Sequence, residues 1–249
     1  MTRATMLAAI GLAALLTSAQ AADIKVITSV GVKAILEDLV PQFERATEHK
    51  LKITFGTAVP LKRQIDGGET FDVVILTPAM LDDLAKSGKV AAGSTAVVAK
   101  SGIGVAIKQG APKPDIASAE GLKKTILAAK AIAYSKEGQS GAMMARVIER
   151  LGLTEQMKDK TVLETRSGLT AANVVEGRAD YAFVLISEIL PIAGAELAGP
   201  LPAELQSYVV FTAGIGADSK ESAAAKSFID FVRGPAGAAV LKTRGMEPG

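Results

Sequence analysis

Four short segments place small polar residues where a β-branched run gives way to a helical pattern: Thr28-Ser29-Val30-Gly31, Gly56-Thr57-Ala58, Glu137-Gly138-Gln139-Ser140-Gly141 and Thr165-Arg166-Ser167-Gly168. The start of a helix leaves backbone N–H groups unpaired and carries positive partial charge, so hydroxyls and glycines there can hold an anion. Any one of these segments could be plain helix capping. Their recurrence in both halves of the chain points to an anion site built from both. Ser29, Thr57, Gln139, Ser140, Arg166 and Ser167 are the side chains expected to contribute.

Other chemistries find little to work with. The 249 residues contain no Cys, no Trp and one His, which excludes Cys-rich zinc sites, iron–sulfur clusters, Cys–His nucleophiles and multi-histidine metal sites. No cofactor is expected. Gly138-Gln139-Ser140-Gly141-Ala142 lacks the second glycine of a nucleophile elbow, and His49 sits in a polar run that reads as a surface helix end. Gly102-Ile103-Gly104 and Gly214-Ile215-Gly216 lack the third glycine of a dinucleotide fingerprint. Asp82 and Asp83 are adjacent on a predicted helix and point to different sides, so they do not form an acid/base pair.

The elements that must position the polar loops alternate along the chain, as in an α/β fold. Ile24–Ile27, Leu51–Phe55, Phe71–Leu76, Ala131–Tyr134, Thr161–Leu163, Tyr181–Ile186 and Tyr208–Thr212 read as strands. Helical stripes follow at Val32 to Phe43, at Leu61 and Ile65, and at Met80 to Leu84. Others cover Leu122 to Leu127, Met143 to Leu151, Leu169 to Glu176 and Ala224 to Val232, with a last helix after Gly234-Pro235. Ala96 to Ile107 reads as one long strand able to pass between two lobes.

The first residues read as an export signal: Arg3, then a short apolar run from Met6 to Leu16, then Ala19-Gln20-Ala21 as a small-x-small cleavage motif. Cleavage after Ala21 is expected, followed by residence in the bacterial periplasm. Lys and Arg number 28 against 26 Asp and Glu, a net +2 that falls to +1 without Arg3. A nearly neutral chain implies no nucleic-acid partner.

The order of motifs resembles a family. Val26-Ile27 with its polar loop, Lys52 to Thr57 with Leu61 to Ile65, Phe71-Asp72-Val73-Val74-Ile75, Val175 to Asp180 before a strand, and Ala224 to Phe231 running into Gly234-Pro235 are similar to type II periplasmic solute-binding proteins. The likeness is strongest to the molybdate-binding component of ABC importers and its paralogues. It implies a two-lobed α/β fold, each lobe a mixed sheet flanked by helices, joined by two crossover strands and closing over a ligand by hinge motion. Lobe one would hold residues 22–98 and 190–249, and lobe two residues 99–189. The crossovers are expected near Val97–Ile107 and Tyr181–Ile186.

Three positions depart from that family's pattern. Gly31, preceded by Thr28 and Ser29, stands where the family usually has Ser. Thr57-Ala58 replaces paired Ser, and Leu185 stands where a Tyr commonly follows the strand's Val. Arg166 could suit a carboxylate. The resemblance thus implies a monomeric receptor for a small anion, either a molybdate-like oxyanion or an organic acid, serving a membrane permease. An exported enzyme or a ligand sensor on the same scaffold is the alternative.

Overall fold

The computed structural model describes residues 21–249. The leader expected over residues 1–21 lies outside them but for Ala21.

The first half of the chain builds one α/β layer. Its strands are β1 (Asp23–Ser29), β2 (Lys50–Gly56) and β3 (Val73–Leu76), and its helices are α1 (Lys33–Thr47), α2 (Ala58–Asp66) and α3 (Pro78–Lys86). β1 lies between β2 and β3, parallel to both. Ile35, Leu36, Leu39 and Phe43, at helical spacing, bury one face of α1 against Ile24, Val26 and Val73. Glu48 ends α1 in the left-handed region at φ 62°. The reversal turns His49 inward, so the residue expected at the surface is buried, accepts from Ala22 N–H at 3.1 Å and packs beside the Phe43 ring.

β4 (Ala96–Lys108) then crosses the molecule. Its first half pairs with β9 (Tyr208–Ile215) and β10 (Glu247–Pro248), while its second half, from Ile103, pairs with β7 (Tyr181–Leu185) and β8 (Ala195–Pro200). The second layer adds β5 (Ile132–Ser135) and β6 (Thr161–Glu164), with helices α4 (Ala119–Ala128), α5 (Gln139–Arg150), α6 (Thr154–Met157), α7 (Ala172–Val175) and α8 (Ile186–Ile189). The chain closes with α9 (Ser222–Arg233) and α10 (Pro235–Thr243) on the first layer. The strand order is β2-β1-β3-β9-β4-β7-β5-β6.

The fold is therefore a mixed α/β architecture with two lobes on one continuous, curled sheet. β4 is the outward crossing, as expected. The return differs: β7 meets β4 only along its second half and pairs with β5 on its other side, so the way back runs through β8 and β9, antiparallel to the two halves of β4 in turn. Separate cores lie on either side, one around Phe43, Phe211 and Phe228, the other around Ile126, Met144 and Phe183.

Candidate functional site

In open α/β sheets ligands sit beyond the carboxyl ends of the strands, where helices begin. Here those ends from both lobes face a small cavity of about 30 Å³. Ser29, Thr57, Ala58 and Thr77 line it from the first lobe, and Ser135, Gly138, Gln139, Ser140, Gly168 and Thr170 from the second. Leu185, Glu188, Val209 and Phe211 complete the wall. A larger groove, about 430 Å³, lies at the amino ends of β1 and β3. Its Asp72 is already occupied by Lys25 N–H and the Ser219 hydroxyl, at 2.8 and 2.6 Å.

Three helices direct their first turns at the cavity. Thr57 and Thr77 are the N-cap residues of α2 and α3, both in extended conformation, yet neither side chain caps its own helix. Ser118, at the start of α4 and away from the cavity, does cap, accepting from Gly121 N–H at 3.1 Å. The hydroxyls of Thr57 and Thr77 are therefore left for something else. α5 begins at Gly138 without a side-chain cap, and Ser135 Oγ accepts from Gly138 N–H at 2.9 Å. Gly141 lets this helix start close against β5, since a Cβ there would run into the Ser135 carbonyl.

The lobes touch at the rim. The Ser187 hydroxyl donates to the Gly31 carbonyl at 2.8 Å, and Gly168, at φ +73°, leaves room for the Val30 side chain. Gly31 itself is required by packing: a Cβ would stand 2.6 Å from Phe211 Cζ and 3.0 Å from Leu185 Cδ1. The hydroxyl that the resembling family usually carries at this position is displaced by an aromatic ring.

Of the ten residues expected at the site, six line the cavity: Ser29, Thr57, Ala58, Gln139, Ser140 and Leu185. Four do not. Thr28 is fully buried beneath it, Gly31 lies behind Phe211, and Ser167 faces a neighbouring groove with Lys33 and Glu37. Arg166 is turned away because carboxylates hold it: its Nη2 lies 2.7 Å from Glu164 and 3.0 Å from Glu176. Burial pulls the Glu164 carboxyl upward, but hydrogen bonds from Arg166 and Asn173 outweigh it and hold the carboxyl below its ordinary range.

Sequence reasoning missed Thr77, Thr170 and Glu188. Thr77-Pro78 was legible as an N-cap followed by proline at the first helical position; Glu188 had no such mark. It is the one charged group in the wall, and the described residues offer its carboxyl neither ion pair nor hydrogen bond. Glu188 is half-buried, and desolvation by the surrounding wall pushes its carboxyl pKa up to about 7. Among the described residues no cluster of three or more His, Asp or Glu could hold a metal.

Two lobes, a cavity at their seam and helix starts converging on it are the architecture of a solute-binding protein. The chain belongs to the bacterial extracellular solute-binding protein family, whose profile matches residues 24–247. It is 30% identical to the molybdate-binding protein ModA of Azotobacter vinelandii over 96% of each chain. It is 28% identical to an aconitate isomerase of Pseudomonas sp. over 94% of this chain and 91% of that protein. The solved structure of the Azotobacter vinelandii periplasmic molybdate-binding protein superposes with a TM-score of 0.76 at 26% identity, covering 91% of this chain and 99% of that one. The family is that of the substrate-binding components of ABC importers.

Proposed function

We propose that the protein is a monomeric periplasmic receptor that captures a small anion in the interlobe cleft and hands it to a membrane permease. The ligand is a molybdate-like oxyanion or a small organic acid. The observation that carries this reading is the pair of unspent N-cap hydroxyls, Thr57 and Thr77, aimed at a cavity that the start of α5 enters from the other lobe. Among the described residues the lining has no Lys or Arg, so the anion is held by neutral donors and helix starts. Ligand contacts from both lobes favour the closed arrangement, and hinge opening at β4 and the β8–β9 connection releases the ligand.

Isothermal titration of the mature protein with molybdate, sulfate and cis- and trans-aconitate tests the reading. At least one anion binds, and Thr57→Ala and Ser140→Ala each weaken it about tenfold, the loss of roughly one hydrogen bond to a charged group, with the melting temperature retained. Unchanged affinity in both variants rules this cleft out. The second reading, an isomerase acting on organic acids, is favoured by the Pseudomonas relative. Interconversion of cis- and trans-aconitate by the purified protein, followed by NMR, would establish it.

A further inference from the structure

Glu188 is out of keeping with the rest of the cleft. Every other lining residue is neutral, and an anion placed among them meets hydroxyls, an amide and helix starts. An ionised carboxylate in the same small space opposes that anion. Two like charges that close, screened by little water, repel strongly. Among the described residues no neighbour neutralises it. On the outer side of Glu188, Lys33 and Glu37 of α1 share its groove but pair with each other at 3.6 Å, with Lys33 lying over the Phe55 ring. Arg244, next to the Gly245 that packs under Ile186, is held by Asp38 at 2.7 Å. Glu196 of β8 is held by Lys113. Desolvation alone acts on the Glu188 carboxyl.

We propose that Glu188 determines the specificity of the cleft by requiring one proton in the complex, shared between its carboxyl and an oxygen of the bound anion. This rests on the anion-receptor reading above. An anion that carries an acidic or hydroxyl hydrogen, such as a partly protonated oxyanion or a hydroxy or polycarboxylic acid, brings that hydrogen and is accepted by the carboxylate. A fully deprotonated oxyanion must instead take a proton from solvent onto Glu188, which then donates. A carboxyl with a proton affinity near neutrality, as burial gives this one, holds that proton at moderate cost.

The experiment compares wild type with Glu188→Gln, an uncharged donor of the same shape, in two arms. In the ligand-free arm, the wild-type melting temperature falls as pH rises from 5.5 to 8.5 while that of Glu188→Gln falls less; parallel profiles overturn the premise that the carboxyl holds a proton. In the second arm, molybdate, sulfate and trans-aconitate are titrated across the same range. Wild-type affinity for molybdate or sulfate falls about tenfold per pH unit above 7, with proton uptake seen as a buffer-dependent heat. Glu188→Gln binds the same probe with no such slope and about tenfold or more tightly at pH 8.5. A flat wild-type profile, or a slope that survives in Glu188→Gln, overturns the proposal while leaving the anion cleft standing. Failure of all three probes to bind a folded wild type overturns the cleft reading and this proposal with it, whatever the ligand-free arm gives.

Discussion

The Gln206 carboxamide brackets the backbone of Ile103, accepting from its N–H and donating to its carbonyl, each at 2.9 Å, beside the Leu201 N–H that donates to the same carbonyl at 3.1 Å. It does so where the return chain leaves β4: β8 ends at Pro200 and β9 begins at Tyr208. A side chain thus joins the Leu201 backbone in pairing the midpoint of the crossing. Gln206→Ala should leave the buried Ile103 N–H unpaired and lower stability by about 1–3 kcal/mol, a fall of several degrees in the melting temperature. An unchanged melt would show that the pairing contributes nothing.

The Ser187–Gly31 hydrogen bond joins the lobes at the rim and exists only when they are together. Removing it costs the closed form about 1 kcal/mol, so Ser187→Ala should shift the open-to-closed ratio roughly fivefold toward open. The chain has no cysteine, so a pair introduced on opposite lobes for spin labelling reads the interlobe distance distribution without background. Identical distributions in wild type and Ser187→Ala would deny the contact a role in closure.

Gly31→Ser restores the side chain that the family resemblance led one to expect, but against Phe211 it overpacks the seam. A loss of about 1–3 kcal/mol is expected, partly recovered in combination with Phe211→Leu. Additive losses in a double-mutant melt would show that the ring is not the obstacle.

Glu164 is buried, and its carboxyl is held below the ordinary range by Arg166 and Asn173. The native state therefore binds fewer protons than the unfolded one at this site, and the stability it confers is present above the unfolded value of 4.5 and is lost as pH falls below it. Glu164→Gln should be less stable than wild type at pH 7, and the difference should shrink toward pH 3 in paired melts. A constant difference would assign the loss to packing.

The α/β alternation, the long crossing strand and the stripes of α1, α5 and α9 were legible because each rests on local periodicity and a helix stop signal. β8 was not, since Ala195–Pro200 has no alternation and is a strand only through its partner in β4. That omission misplaced the return crossing onto β7. At the site, loops that open helices were recognised as a class, but which side chains turn inward depends on neighbours distant in sequence. Arg166 was placed among the site's side chains, although the partners that hold it, Glu164 and Glu176, lie only 2 and 10 residues away. Phe211, 180 positions from Gly31, could not be paired with it from pattern alone. Glu188 went unseen because nothing local distinguishes a carboxyl that burial will leave without a partner.

The central claim, that neutral donors from both lobes hold a small anion at the seam, is tested most directly by titrating one binding anion into wild type, Thr57→Ala, Ser140→Ala and the double variant. Each single change should weaken binding about tenfold, and the double should abolish detectable saturation while the fold persists. Full affinity in the double variant would contradict the account.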